Sequence, residues 1–132
     1  MSLTILKIFI FSFLLNLFYE VCHSVLYTTC LNLPLKNYVK LILKASLKDA
    51  WFISLFYLIT AFIFDNFFIL NNYFQLGAFI IICLGFSFID EKISLKLGRW
   101  QYSEQLPKIF GVGLTPLLEL AITGLIAFIL IF

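Results

Sequence analysis

The sequence predicts an all-α fold, a polytopic transmembrane bundle of about four helices with a short amphipathic helix lying at the interface. Three observations predict it. Of the 132 residues, 63% are hydrophobic and only 12% are charged, about half the roughly 25% charge of an ordinary soluble domain. The apolar residues fall into four runs, each long enough to cross about 30 Å of hydrocarbon at about 1.5 Å per residue. Eight of the nine Lys and Arg residues, all but Lys7, sit in two of the three connections.

The first run covers about 3–27. Lys7 is its only nearby cation and no small-residue cleavage site follows, so it reads as a permanent helix and not as a removed signal. Next, Pro34 breaks the helix, and Lys36, Lys40, Lys44 and Lys48 recur every fourth residue against Val39, Leu43 and Leu47. That pattern predicts the interfacial helix, over about 36–47. The second run spans about 50–70, where Trp51 to Phe64 carries only Ser54, Tyr57 and Thr60 as polar breaks. A short turn with Asp65, Asn66, Asn71 and Asn72 leads to the third run, about 73–89. The connection after it carries Lys92, Lys96, Arg99 and Lys108, and the fourth run covers about 112–132. Thr115 before Pro116 reads as a cap and first turn, which sets Glu119 near the start of the last helix. No repeat or low-complexity linker divides the chain, so residues 1–132 form one domain.

With four spans the first and third connections share a face. The positive-inside rule makes that face cytoplasmic, with both termini on the outer side of the cell membrane. Lys36, Lys40, Lys44 and Arg99 are the expected contacts for anionic lipid. The cations do not cluster with interleaved aromatics, which excludes a nucleic-acid grip. Cys22, Cys30 and Cys83 contain no C-x-x-C pair, so neither a disulfide framework nor a thiolate zinc site is signalled. Walker, G-x-S-x-G, H-E-x-x-H and G-x-G-D motifs are missing as well.

Polar residues within the spans carry the functional signal. Ionisable groups in lipid cost on the order of 2.5–3.5 kcal/mol at a helix centre, which drives them toward protein or a watery cavity. On the first helix Ser12, Asn16, Glu20, His23 and Tyr27 share one face. Asp49 opens the second span at the same end, Glu91 ends the third beside Asp90, and Glu119 begins the fourth. The expected site is therefore a pocket at the cytoplasmic end. Glu20, His23, Asp49, Glu91 and Glu119 gather there, Asn16 continues the face inward, and Arg99, Trp100 and Tyr102 cover it.

The segments Tyr19-Glu20-Val21-Cys22-His23-Ser24-Val25-Leu26-Tyr27, Ala45 to Ala50, Gly98-Arg99-Trp100-Gln101-Tyr102, Leu106-Pro107 and Gly111 to Leu118 resemble an uncharacterised family of small four-helix bacterial integral membrane proteins. The likeness spans nearly the whole chain and implies a shared site, with no activity attached. Glu119 stands where that family has glutamine.

Several readings of the site are open. One is a pocket that binds or moves a polar or amphiphilic solute, proton-coupled through His23 and Glu20. A second is an intramembrane enzyme acting on lipid headgroups or another amphiphile. A third is an accessory subunit, or homo-oligomer, whose polar face docks a membrane partner. Glu20-x-x-His23 has the spacing of a di-iron bundle ligand pair, but the chain holds one histidine. A mononuclear metal on His23 and Glu20 with Asp49 or Glu91 remains chemically sound. Against all of these stands a purely structural network in which the acids, His23, Arg99 and Tyr102 close the bundle end. For residues 98–102 the corresponding plain reading is an interfacial anchor.

Overall fold

The computed structural model describes residues 2–132. Its long elements are α1 (Ser2–His23), α3 (Leu35–Ile63), α4 (Tyr73–Lys96) and α5 (Leu114–Ile131). Between α1 and α3 lie a 3-10 turn (Ser24–Leu26) and the one-turn helix α2 (Thr28–Leu31). Before α5 a small hairpin pairs β1 (Lys108–Ile109) with β2 (Val112–Gly113). Four helical stretches are long and apolar enough to cross a membrane, so the protein is an all-α membrane bundle. Phe18, Phe62, Tyr73, Phe74 and Ile81 face outward, as apolar side chains do in a bundle solvated by lipid.

The inner seam is aromatic and small-residue packing. Ile53, Tyr57, Phe79, Phe128 and Ile8 are fully buried, and the Phe79 and Phe128 rings meet edge to face at 4.8 Å. Gly124 lets α4 and α5 approach closely, because a Cβ there would lie 2.7 Å from Phe79 Cζ. Several polar side chains inside the bundle bond to its own backbone or to one another. Asn16 donates to Ser12 O at 2.7 Å, and Thr123 Oγ1 stands 3.1 Å from Asn16 Oδ1, tying α1 to α5. At the opposite end Gln75, fully buried, exchanges two 2.9 Å hydrogen bonds with Asn66. Asn72 caps α4 by accepting from the amides of Phe74 and Gln75.

Four element boundaries differ from the sequence reading. The expected interfacial helix over 36–47 is not a separate element but the first half of α3, a single 29-residue rod. Residues 35–63 contain neither Gly nor Pro, so nothing breaks the helix where the lysines give way to apolar residues. That helix ends at Ile63 and not near residue 70, since Asp65 takes a positive φ of 46° and starts the turn. The third helix runs on past residue 89 to Lys96. It stops in a Schellman motif, with Gly98 at φ 67°, Gly98 N–H on Leu95 O at 3.1 Å and Arg99 N–H on Ser94 O at 3.0 Å. Finally, Gly113 and not Thr115 takes the N-cap position of α5; the Thr115 hydroxyl is buried without a partner.

Candidate functional site

Four helices converge on a cavity of about 580 Å³, within the size range of small-molecule sites. Glu20 and His23 come from the last turns of α1, Asp49 from α3, Ser87 and Glu91 from α4, Glu119 from the second turn of α5. His23, Asp49, Glu91 and Glu119 are buried and form its floor. Lys44 and Arg99 are exposed, Lys48 is half-exposed, and these three give it a cationic rim. Leu41, Ile42, Ala45, Phe86 and Leu120 supply its apolar wall.

The i, i+3 spacing on α1 lets Glu20 reach back to His23, and Glu20 Oε2 lies 2.9 Å from His23 Nε2. The same nitrogen faces Glu119 Oε2 at 3.8 Å. His23 is held between the rings of Tyr19 and Tyr27, at centroid distances of 5.1 and 5.3 Å. Tyr19 itself donates to Thr115 O at 2.7 Å, so the end of α1 is fixed against the start of α5. Glu119 Oε1 and His23 Nδ1 are buried with no hydrogen-bond partner. Ligand atoms of Glu20, His23 and Glu119 all stand within 4.8 Å of one another.

Glu91 is satisfied differently. It accepts from Trp100 Nε1 at 3.2 Å and from the Tyr102 hydroxyl, which in turn accepts from Gly113 N–H at 3.1 Å. Residues 98–106 thus cross the end of the bundle as a strap. The strap is pinned to the end of α1 by a Tyr27–Tyr102 bridge, by Thr28 N–H on Gln101 O at 3.1 Å and by Ser103 N–H on Leu26 O at 2.8 Å. Burial, then the Glu91 hydrogen bond, holds the Tyr102 phenol above the usual tyrosine range. Burial and the nearby Glu91 charge do the same for Tyr27. Cys30 lines the cavity as a thiol, its ionisation opposed by burial and by Glu20.

Of the residues expected in the pocket, Glu20, His23, Asp49, Glu91, Glu119 and Arg99 line one cavity. Two expectations need correction. Asn16 lies outside the cavity, fully buried between α1 and α5. Arg99 does not pair with the acids: it lines the cavity, but its guanidinium touches Ser94 Oγ at 3.4 Å. Among the described residues the only Lys or Arg ion pair within 4.0 Å joins Lys48 to Asp90 at 2.7 Å. Trp100, expected as cover, does line the cavity, whereas Tyr27, Lys48 and Asp90 are site residues that the sequence reading left out of the site itself. Tyr27 already stood on the polar face of α1, which was the available signal.

Fold and cavity together define a four-span membrane protein with an acidic, histidine-bearing site at one end of its bundle. No family model matches the chain, and no curated protein or solved structure matches it either.

Proposed function

We propose that the protein sits in the cell membrane with both termini outside and binds, or moves, a polar-headed amphiphile in this cavity. The observation that carries the reading is that one cavity is lined by exposed or half-exposed cations (Lys44, Lys48 and Arg99), by apolar side chains and by buried acids. A polar head with an apolar stem finds a complementary surface for each part, and the exposed cations, Lys44 and Arg99 above all, suit an anionic group such as a phosphate. Lys36 and Lys40 lie outside the cavity lining and are left to contact anionic lipid at the surface. The Glu20–His23 bond is the element that would carry a proton if transport is proton-coupled.

Native mass spectrometry of the protein extracted in mild detergent tests this reading. The wild type retains one amphiphile per chain, Ala45→Trp, which fills the cavity, loses it, and Lys36→Ala with Lys40→Ala keeps it. An adduct-free wild type, or an adduct indifferent to Ala45→Trp, overturns the reading. Orientation is read by thiol labelling in a chain lacking Cys22, Cys30 and Cys83: Lys40→Cys and Lys96→Cys label from the cytoplasm, and Asn71→Cys labels from outside. Labelling of all three from one side would remove the topology. An enzyme acting on headgroups is the second reading, favoured by the close grouping of Glu20, His23 and Glu119.

A further inference from the structure

We propose that Glu20, His23 and Glu119 bind a divalent transition-metal ion at the floor of the cavity. The inference rests on the binding reading above only for what meets the open side of the ion. Three observations carry it. Glu119 is 5% exposed and its Oε1 has no hydrogen-bond partner. Its Oε2 has His23, at 3.8 Å, as the only basic side chain within 4.0 Å among the described residues. A carboxylate so placed has lost water and gained nothing, a situation that pairing or metal coordination resolves.

The second observation is geometric. Oxygen and nitrogen ligands about 2.1 Å from a tetrahedral ion stand roughly 3.4 Å apart. Separations of 2.9 Å from Glu20 to His23 and 3.8 Å from His23 to Glu119 bracket that value, and all three ligand atoms lie within 4.8 Å of one another. Third, the three ligands come from two helices already locked together by the Tyr19–Thr115 bond, so the set is held in place by the fold.

Ligand chemistry narrows the class of ion. One imidazole with two carboxylates suits zinc, manganese or ferrous iron, whereas magnesium favours all-oxygen shells that keep several waters. The remaining coordination positions open onto the cavity, beside Asp49 and Ser87. There an oxygen of the amphiphile head, or a water, completes the shell. This gives the headgroup a direct bond at the floor in addition to its rim contacts.

Equilibrium dialysis of purified, chelator-stripped protein against zinc, manganese, ferrous and magnesium salts tests the site, with metal content read by plasma mass spectrometry. One transition-metal ion per chain is expected, magnesium being retained at less than a tenth of that. His23→Ala and Glu119→Gln each reduce retention at least tenfold, while Glu104→Gln, on the exposed strap, leaves it unchanged. Glu119→Gln preserves side-chain volume, so it decides the matter where His23→Ala fails to fold. Substoichiometric binding by the wild type, or retention unaffected by Glu119→Gln, overturns the site. The two proposals separate cleanly: Ala45→Trp loses the amphiphile and keeps the metal. An amphiphile retained by a protein that binds no metal sinks this inference alone, and metal retained without amphiphile sinks only the earlier one.

Discussion

Replacing Tyr102 by phenylalanine deletes one oxygen that serves two partners, Glu91 on α4 and the Gly113 amide just before α5. Hydrogen bonds to a carboxylate contribute about 1.5–3 kcal/mol and neutral ones about 0.5–1.5 kcal/mol. Trp100 stays on Glu91 at 3.2 Å and Tyr102 is half-buried, so the low end of each range applies and their sum is about 2 kcal/mol. That corresponds to about a 30-fold shift in the unfolding equilibrium. Tyr27→Phe is the matched control, because the Tyr27 hydroxyl makes no hydrogen bond among the described residues and the ring, which packs on His23, Trp100 and Tyr102, is retained. Unfolding by graded SDS in mixed micelles, followed by helical circular dichroism, measures both. Tyr102→Phe should lose about 2 kcal/mol and Tyr27→Phe less than about 0.5 kcal/mol. Amide exchange at Thr28 and Ser103, whose N–H groups hold the strap to the end of α1, should quicken in the first variant only. Equal effects from the two substitutions would refute the assignment of Tyr102 as the tie between α4, the strap and α5.

Other perturbations read other parts of the molecule. Gly124→Val drives a side chain into Phe79 and should cost about 1–3 kcal/mol by overpacking, partly restored by Phe79→Leu in the same SDS titration. Lys48→Ala breaks the 2.7 Å pair with Asp90, but both side chains are partly exposed, so the loss in that titration should stay below about 1 kcal/mol. The Tyr27 and Tyr102 phenols are raised in the folded state, so the native protein holds their protons where the unfolded chain releases them. Stability is therefore fully present below the unfolded phenol value of about 10 and falls as pH rises above it. SDS midpoints measured across that alkaline range should show a shallower fall in Tyr102→Phe than in the wild type.

The spans were legible because hydrocarbon thickness leaves few alternatives for runs such as Trp51 to Phe64. The polar floor was legible for a related reason, since Glu20, His23 and Glu119 have nowhere inexpensive to go in lipid except toward each other. Where one helix ends and the next begins was less visible. A change of composition from lysine-bearing to apolar residues was read as an element boundary in α3, yet composition alone does not break a helix, and residues 35–63 contain neither Pro nor Gly. Thr115 before Pro116 looked like a cap, but the tight hairpin ahead of it delivers Gly113 to that position. Phe110 and Gly111 both take positive φ there, as mirror-image hairpin turns require. The partner of Glu91 was the other blind spot. Arg99, Trp100 and Tyr102 were all expected over the pocket and charge complementarity favoured Arg99 as the partner, whereas Glu91 takes Trp100 and Tyr102.

The undivided α3 helix has a mechanical meaning. At about 1.5 Å per residue its 29 residues measure about 43 Å, some 13 Å more than the hydrocarbon they cross. The overhang carries Lys36 and Lys40, and one or two turns further in the same rod supplies Lys44, Ala45, Lys48 and Asp49 to the cavity wall. With no hinge between them, the overhang is a lever whose short arm is the wall itself. The spacing between the surface lysines and the cavity wall is therefore fixed by the rise of a single helix, and neither can shift along the axis without the other.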